Sequence, residues 1–352
     1  MRTRVFTGGG ILVSGGRPII ESCQITDNHT STQGGGISLG YYTNSALKTQ
    51  GCIIRNSLIA ANTSGWAGAL YGIISLGAGE PPPTVEASNC VLQYNSGAAA
   101  IFYLRDYSAD LRNCLIVKNS SSNACCRLYQ LSGAPLFKFS NCTIANSGLY
   151  LQIYSSGELA LCNSIVWTDD GNVEISAFAG VQAAYCDIFG GRGGIDTNGV
   201  ATVAWGPGNL QGDPLFADMV NDDYHLRSQG WRWDPAGANW AHDAATSPGI
   251  DTGNPGSGVG SELLHVPADP GGQFGVNRRI DMGYYGGTAE ASLPPPLASL
   301  RADLDNSGAV DLADLALYCM GLSPFEGPGD LNHDGTLTAA DLAIFAEDWL
   351  KP

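Results

Sequence analysis

A short pattern that recurs down the first half of the chain limits its fold more than any other feature. It reads Cys or Ser, any residue, Ile or Leu, two residues, Asn. The copies are CQITDN from Cys23, SLIAAN from Ser57, CVLQYN from Cys90 and CLIVKN from Cys114, with shortened forms at Cys142, Ser164 and Cys186. Successive copies are separated by 34, 33, 24, 28, 22 and 22 residues. A second motif precedes several of them: GGGI from Gly8 and from Gly34, AGAL from Ala67 and GAAAI from Gly97. A unit this short cannot bury an apolar face alone, but stacked copies can, so the repeat predicts a solenoid. Alternation sets the Cys/Ser and Ile/Leu positions on one face of each strand and the intervening residue on the other. Ile25, Ile59, Leu92, Ile116, Ile144, Ile165 and Ile188 are therefore expected to form one internal ladder, beside a parallel Cys/Ser ladder. The closing Asn suits a corner, because it tolerates left-handed backbone and can hydrogen-bond locally.

Leucine-rich repeats are the rival solenoid, but Leu is scattered here and does not recur at a regular spacing. The array resembles the right-handed parallel β-helix of the pectate-lyase superfold. That resemblance implies an all-β solenoid over residues 1–212, about seven rungs tall. At ~4.8 Å per rung the coil would be roughly 35 Å long. With 14% charged residues and 47 Gly, the composition argues against a helical bundle and for turn-rich β structure. Nine of the ten Cys lie in the coil, five of them at the inward repeat position. Equivalent positions on neighbouring rungs have parallel Cβ vectors, which suits buried thiols better than disulfides.

Residues 213–290 change character, with GDPLFAD, DYHLRSQGWRWD, TSPGIDTGNPG and RRIDMGYYGGTAEAS in that order. This order resembles the region that closes secreted bacterial β-helix proteins of the planctomycete-like surface type. A C-terminal cap of the coil is the expectation, since an open end exposes apolar cross-section and strand edges. Trp231, Trp233, Trp240, Tyr284 and Tyr285 supply bulk for a cap, or alternatively a sugar-stacking platform. A Pro-rich linker over 291–300 follows.

The last 52 residues carry two copies of a calcium-loop sequence: DLDNSGAVDLAD from Asp303 and DLNHDGTLTAAD from Asp330. Oxygen ligands are expected from Asp303, Asp305, Ser307, Asp311 and Asp314 in the first loop. In the second they come from Asp330, Asn332, Asp334, Thr338 and Asp341. Ala309 and Thr336 supply the position-7 backbone carbonyls, and Gly occupies the sharp turn at position 6 of each loop. Two matches in one register predict two bound calcium ions. Only 15 residues separate the loops, room for one helix (LADLALYCMG) before SPFEGPG ends it. Loop–helix, linker, loop–helix resembles a type I dockerin over 301–352. The resemblance implies calcium-dependent folding and a cohesin-like partner. Leu312-Ala313 and Ala339-Ala340 stand where that family usually carries the Ser-Thr type pair read by cohesin.

Of the chain's 33 acidic residues, 10 lie in 302–352 against one base, Lys351, so −9 of the net −16 belongs to that segment. The acidity is mostly ligand charge, and nucleic acid is excluded as a partner for want of a basic footprint. No apolar run reaches the ~18 residues of a membrane helix. No signal peptide is visible, since Arg2 and Arg4 lead into FTGGG. The expectation is an extracellular or cell-surface protein whose export signal and first rungs lie upstream of this sequence.

Catalysis has little to rest on. The densest charged stretch is LRDYSADLR, with Arg105, Asp106, Asp110 and Arg112, which reads as an ion-paired strand. Asp169-Asp170 reads as a turn, and Glu174 is a further acidic residue nearby. His29, His225, His242, His265 and His333 are scattered, as structural or surface residues would be. The leading reading is an extracellular protein that binds or processes polysaccharide and docks through its calcium module. If it is an enzyme, it is a polysaccharide lyase or glycoside hydrolase. A non-enzymatic adhesion protein is the alternative, supported by a GGGI…I-x-x-N rhythm similar to polymorphic outer-membrane adhesin repeats. A structural spacer is a third.

Overall fold

The computed structural model describes residues 9–40, 49–77, 79–129, 136–146, 151–153, 157–168, 175–178, 180–272, 275–295, 302, 310–320, 331 and 338–349. The coil is a stack of parallel strands with three principal faces. Face one runs through Ile11–Val13, Ile37–Leu39, Leu70–Ile73, Ser96–Arg105, Ser120–Tyr129, Leu151–Ile153, Ile175–Ala177 and Ile195–Asp196. Face two runs through Ile19–Glu21, Gly51–Arg55, Thr84–Gln93, Ser108–Val117, Leu136–Ser140, Glu158–Cys162, Gly180–Ala184 and Val203–Trp205. Face three carries the seven repeat copies. It takes in Gln24–Thr26, Leu58–Ala60, the second halves of Thr84–Gln93 and Ser108–Val117, Thr143–Ala145, Ile165–Trp167 and Asp187–Ile188. Every pairing along these faces is parallel and links one rung to the next.

Single left-handed residues make the corners. Ser22, Asn56, Asn89, Asn113, Asn141, Asn163 and Tyr185, with φ between 46° and 54°, turn face two into face three. Asp27, Ala61, Tyr94, Lys118 and Asn146 turn the chain out of face three. One positive-φ residue redirects a strand by a sharp step without breaking the ladder, and Asn tolerates that region best. In the shortened copy from Cys142 the closing Asn146 is itself left-handed, as the sequence reading has it, whereas in the four full copies the left-handed residue is its predecessor. The closing Asn points inward instead. Asn28, Asn62, Asn95 and Asn119 hydrogen-bond rung to rung, Nδ2 to Oδ1, at 2.9, 3.0 and 3.0 Å. Asn62 and Asn95 are fully buried.

The core is built of aligned columns. On face three, Ile25, Ile59, Leu92, Ile116, Ile144, Val166 and Ile188 align in register and are all buried. Val166 replaces Ile165 in the expected ladder. The copy reads Ser164-Ile165-Val166, so its third residue is Val, and Ile165 points to the outer side, where it is buried under the flanking segment. On face two, Cys52, Val85, Ala109, Phe137, Leu159 and Val181 form a second column. Cys90, Cys114, Cys142 and Cys186 are buried as small apolar groups, and Cys23 packs against the same core. Cys125 and Cys126 both bury beside a register shift between Ala99 and Phe102 that also turns Ile101 and Phe102 inward together.

All ten thiols are free. Burial pushes Cys52 up to about 12 and holds Cys114, Cys126 and Cys186 above the ordinary thiol range. Thiolate is the reactive form. A native-state labelling experiment should therefore modify exposed Cys319, then half-buried Cys23 and Cys162, and leave the other seven until the chain unfolds. Fast labelling of Cys90 or Cys114 in the native state would contradict the ladder.

The sequence reading places 213–290 over the end of the coil. The structure lays this segment along its side. Outward residues of face three are apolar in the middle rungs, and Phe216, Tyr224, Leu226, Ile250 and Met282 bury Leu115, Val117, Ala145, Ile165 and Trp167 there. Polar seams border the contact. Lys118 Nζ reaches Asp222 at 2.6 Å, Asn113 Nδ2 donates to Gly286 O at 2.6 Å, and Gly283 N donates to Asn163 O at 2.8 Å. The physical cause is that the outward positions of face three in the middle rungs are apolar and need cover.

Two helices belong to the C-terminal unit: α1 (Leu312–Met320) and α2 (Ala339–Asp348). Ala302, Val310, Tyr318, Leu331, Ile344 and Phe345 form their small core. Among the described residues no helix is long and apolar enough to cross a membrane.

Candidate functional site

Outward positions of face one stack as the inward ones do, one residue per rung. Ser38, Tyr71, Tyr103, Arg127, Gln152, Ser176 and Asp196 make one such column. Arg105 stands two residues along the strand from Tyr103, in register with Ile73. Tyr71 and Tyr103 stack with centroids 5.4 Å apart and planes 15° apart. Trp66, 45% exposed, meets Tyr103 edge-on at 5.2 Å. The Arg127 guanidinium lies 5.9 Å from the centre of the Tyr103 ring.

Tyr103, Arg105 and Arg127 are half-buried, whereas Tyr71 and Gln152 are buried. Burial and the neighbouring Tyr103 hydroxyl push Tyr71 up to about 12, against the pull of Arg105. Tyr71 is therefore a neutral hydrogen-bonding group at any ordinary pH. Among the described residues, Arg105 Nε and Gln152 Oε1 on this wall are buried and have no hydrogen-bond partner. The wall thus combines ring faces, two fixed positive charges and unused hydrogen-bonding capacity. That is what stacking on a sugar ring while bonding its oxygens or acid groups requires.

LRDYSADLR does not act as one cluster. Arg105 faces out on face one, Asp106 (φ 61°) sits buried in the corner, and Asp110 and Arg112 lie on face two. There Arg112 Nη2 and Nε bond Asp110 at 2.8 and 3.1 Å, and the Arg side chain is 61% exposed, so this part is an ion-paired strand. Asp169, Asp170 and Glu174 lie outside the described residues. Of the histidines, His225 is buried and bonded to Asp223 at 2.6 Å, His29 bonds Thr63 at 2.7 Å, and His242 packs on Trp231.

Eight of the twelve calcium-loop residues also lie outside the described set: Asp303, Asp305, Ser307, Ala309, Asp330, Asn332, Asp334 and Thr336. The other four repeat one arrangement. Asp311 N donates to Asp314 Oδ2 and Thr338 N to Asp341 Oδ2, each at 2.8 Å. Asp314 and Asp341, position 12 of each loop, are fully buried. The two half-sites match, and their donors are all hard oxygens, which fits calcium. Among the described residues no cluster of three His, Cys, Asp or Glu side chains is arranged to hold a metal.

Sequence reasoning missed Tyr71, Tyr103 and Arg127 as a group. Their separations, 32 and 24 residues, follow the irregular rung lengths, and the register shift near Ala99 breaks the simple motif count. Of the three, Tyr71 directly follows a GGGI-type motif, AGAL from Ala67, whereas Tyr103 and Arg127 do not.

A family described as disaggregatase related has a model that matches residues 194–253, from the last face-one strand into the flanking segment. Comparison with curated proteins and with solved structures gave no match.

Proposed function

We propose that the coil binds an acidic polysaccharide along face one, and that 301–352 is a dockerin-type, calcium-dependent module that attaches the protein to a cohesin-like partner outside the cell. The observation that carries the first part is the wall of Trp66, Tyr71, Tyr103, Arg105 and Arg127 in a chain of net charge −16. Positive charge concentrated beside aromatic rings on one face of an acidic protein selects an anionic, ring-containing partner. A polymer also matches the extended wall, since equivalent positions recur every ~4.8 Å along the coil. The similarity of 194–253 to a disaggregatase-related family hints at a polysaccharide-related function. The reading is one of binding: among the described residues of the wall's column the carboxylate is Asp196, three rungs beyond Arg127.

Polygalacturonate and a neutral galactan, compared by calorimetry, test this reading. Arg105→Gln and Arg127→Gln should each weaken polygalacturonate binding about 10- to 100-fold, the loss of one charge-assisted hydrogen bond. Affinity should fall as salt rises. Unchanged binding by the double variant would remove the wall from the reading. The second part rests on the matched half-sites at Asp314 and Asp341. Leu312, 72% exposed, and the exposed Ala313, Ala339 and Ala340 form the surface offered to a partner.

A further inference from the structure

Three buried carboxyl groups in the flanking segment are joined in a chain of hydrogen bonds. Asp251 N donates to Asp281 Oδ1 at 2.8 Å, and Asp281 N donates to Glu262 Oε1 at 2.9 Å. Glu262 also accepts Gly287 N at 2.7 Å and Asn277 Nδ2 at 2.6 Å. Asp251 accepts the backbone N–H groups of Arg278 and Arg279 at 3.2 and 3.4 Å. The cluster sits on the coil. Asp281 O accepts Asn141 Nδ2 at 3.3 Å, and two residues on, Gly283 N bonds Asn163 O at 2.8 Å.

Glu262 and Asp281 face each other and Asp251, buried and with like charge. The Arg279 guanidinium bonds the carbonyls of Gly253 and Thr252 and lies 5.3 Å over the Tyr185 ring. Asp281 Oδ2 and Asn277 Oδ1 are buried acceptors without a donor. Leaving an ionised oxygen buried and unbonded is among the costlier arrangements a fold can hold. One proton on Asp281 removes the charge and turns a surplus acceptor into a donor.

We propose that a proton held in the Asp251–Glu262–Asp281 cluster fastens the flanking segment to the coil, so that this clamp is tight in mildly acidic surroundings and loosens in alkaline ones. Burial raises Asp251 to about 7 and Glu262 to about 8, and raises Asp281 as well. The mutual repulsion of the carboxylates adds to the rise, while backbone N–H groups and the arginines oppose it. The folded values lie above the unfolded ones, near 4. The stabilisation is therefore complete below about pH 4 and is lost as pH rises through about 7 to 8. The charged and titratable groups around the cluster are Arg278, Arg279 and Tyr185. His225, elsewhere in the same segment, bonds Asp223 at 2.6 Å and approaches Glu290 at 3.5 Å. Burial pulls His225 down, but the two carboxylates raise it overall, so it titrates in the same sense. Loosening the clamp would uncover Leu115, Val117, Ile165 and Trp167, an apolar strip on the outside of the coil.

Hydrogen exchange of the full chain at about pH 5.5 and 8.5, corrected for base catalysis, reads the clamp directly. Protection across 275–293 should drop at least about tenfold at the higher pH, while the Asn28–Asn119 core of the coil changes little. Asp281→Asn keeps an acceptor for the Asp251 N–H but cannot titrate, so the pH dependence of 275–293 should shrink. His225→Gln serves as a control that should leave most of it in place. If Asp281→Asn does not fold, the infrared band of a protonated carboxyl in the wild-type protein near pH 6.5 decides the matter: its presence supports the proposal and its absence overturns it. Protection independent of pH would also overturn it. So would added calcium slowing exchange in 275–293 at pH 8.5, which would make the cluster a cation site.

Discussion

Chelating calcium should melt α1 and α2 while the coil stays folded. The helices are 9 and 10 residues long, below the length at which an isolated helix persists in water. Among the described residues their shared core has six buried side chains, and one of the polar groups fastening it is Asp348, which accepts Ala302 N at 3.3 Å. So small a unit needs a further source of stability, and a metal whose site exists only in the folded chain supplies one. Asp314 and Asp341 are the informative positions. Each accepts a backbone N–H at 2.8 Å and stands at position 12 of its loop, where a carboxylate is the expected ligand. Calorimetry should count two calcium ions in the wild-type chain, one in Asp314→Ala and one in Asp341→Ala. Exchange protection over 310–320 and 338–349 should vanish in the chelated protein. Helices that remain protected without calcium would refute the calcium-dependent module.

Replacing Asn95 by Ala should cost about 3 kcal/mol, the largest loss expected from a single polar residue of the coil. Asn95 Oδ1 accepts both Asn62 N (3.1 Å) and Asn62 Nδ2 (3.0 Å), while its Nδ2 donates to Ile59 O (2.8 Å) and Asn119 Oδ1 (3.0 Å). Truncation leaves a buried N–H and a buried carbonyl with nothing to bond, two groups at about 1–3 kcal/mol each. Gln24→Ala, at an exposed position of the strand Gln24–Thr26 two rungs away, should stay within about 0.5 kcal/mol. Urea unfolding of both variants provides the comparison. A loss below about 1 kcal/mol for Asn95→Ala would mean that the ladder is incidental to stability.

Repeat phase, inward Ile and Cys positions and the parallel stacking were legible because they follow from period-two alternation, which is local. The same locality explains the misplaced left-handed corner. A closing Asn can serve a corner or an internal ladder equally well in sequence, and only neighbouring rungs, each offering Oδ1 to the next Nδ2, decide between them. Ile165 and Val166 show a similar limit: both are apolar, and the inward one is chosen by register with Ile144 and Ile188.

The candidate site was the least legible part. Tyr71, Tyr103 and Arg127 become neighbours through strand pairing across rungs of unequal length, with a register shift between them. No spacing rule survives that irregularity. The course of 213–290 was equally hidden, because its aromatics can cover an end or a side. The outward Leu115, Val117, Ile165 and Trp167 were the clue, since alternate positions that are apolar on both faces require cover on both. By itself, the sequence determined that this chain coils into parallel rungs, since the repeat depends on residues close together in the chain. Tertiary structure alone decided which side of the coil is covered, which side presents rings and guanidinium groups, and which carboxyls meet in the dark, since burial and charge proximity are properties of distance in space.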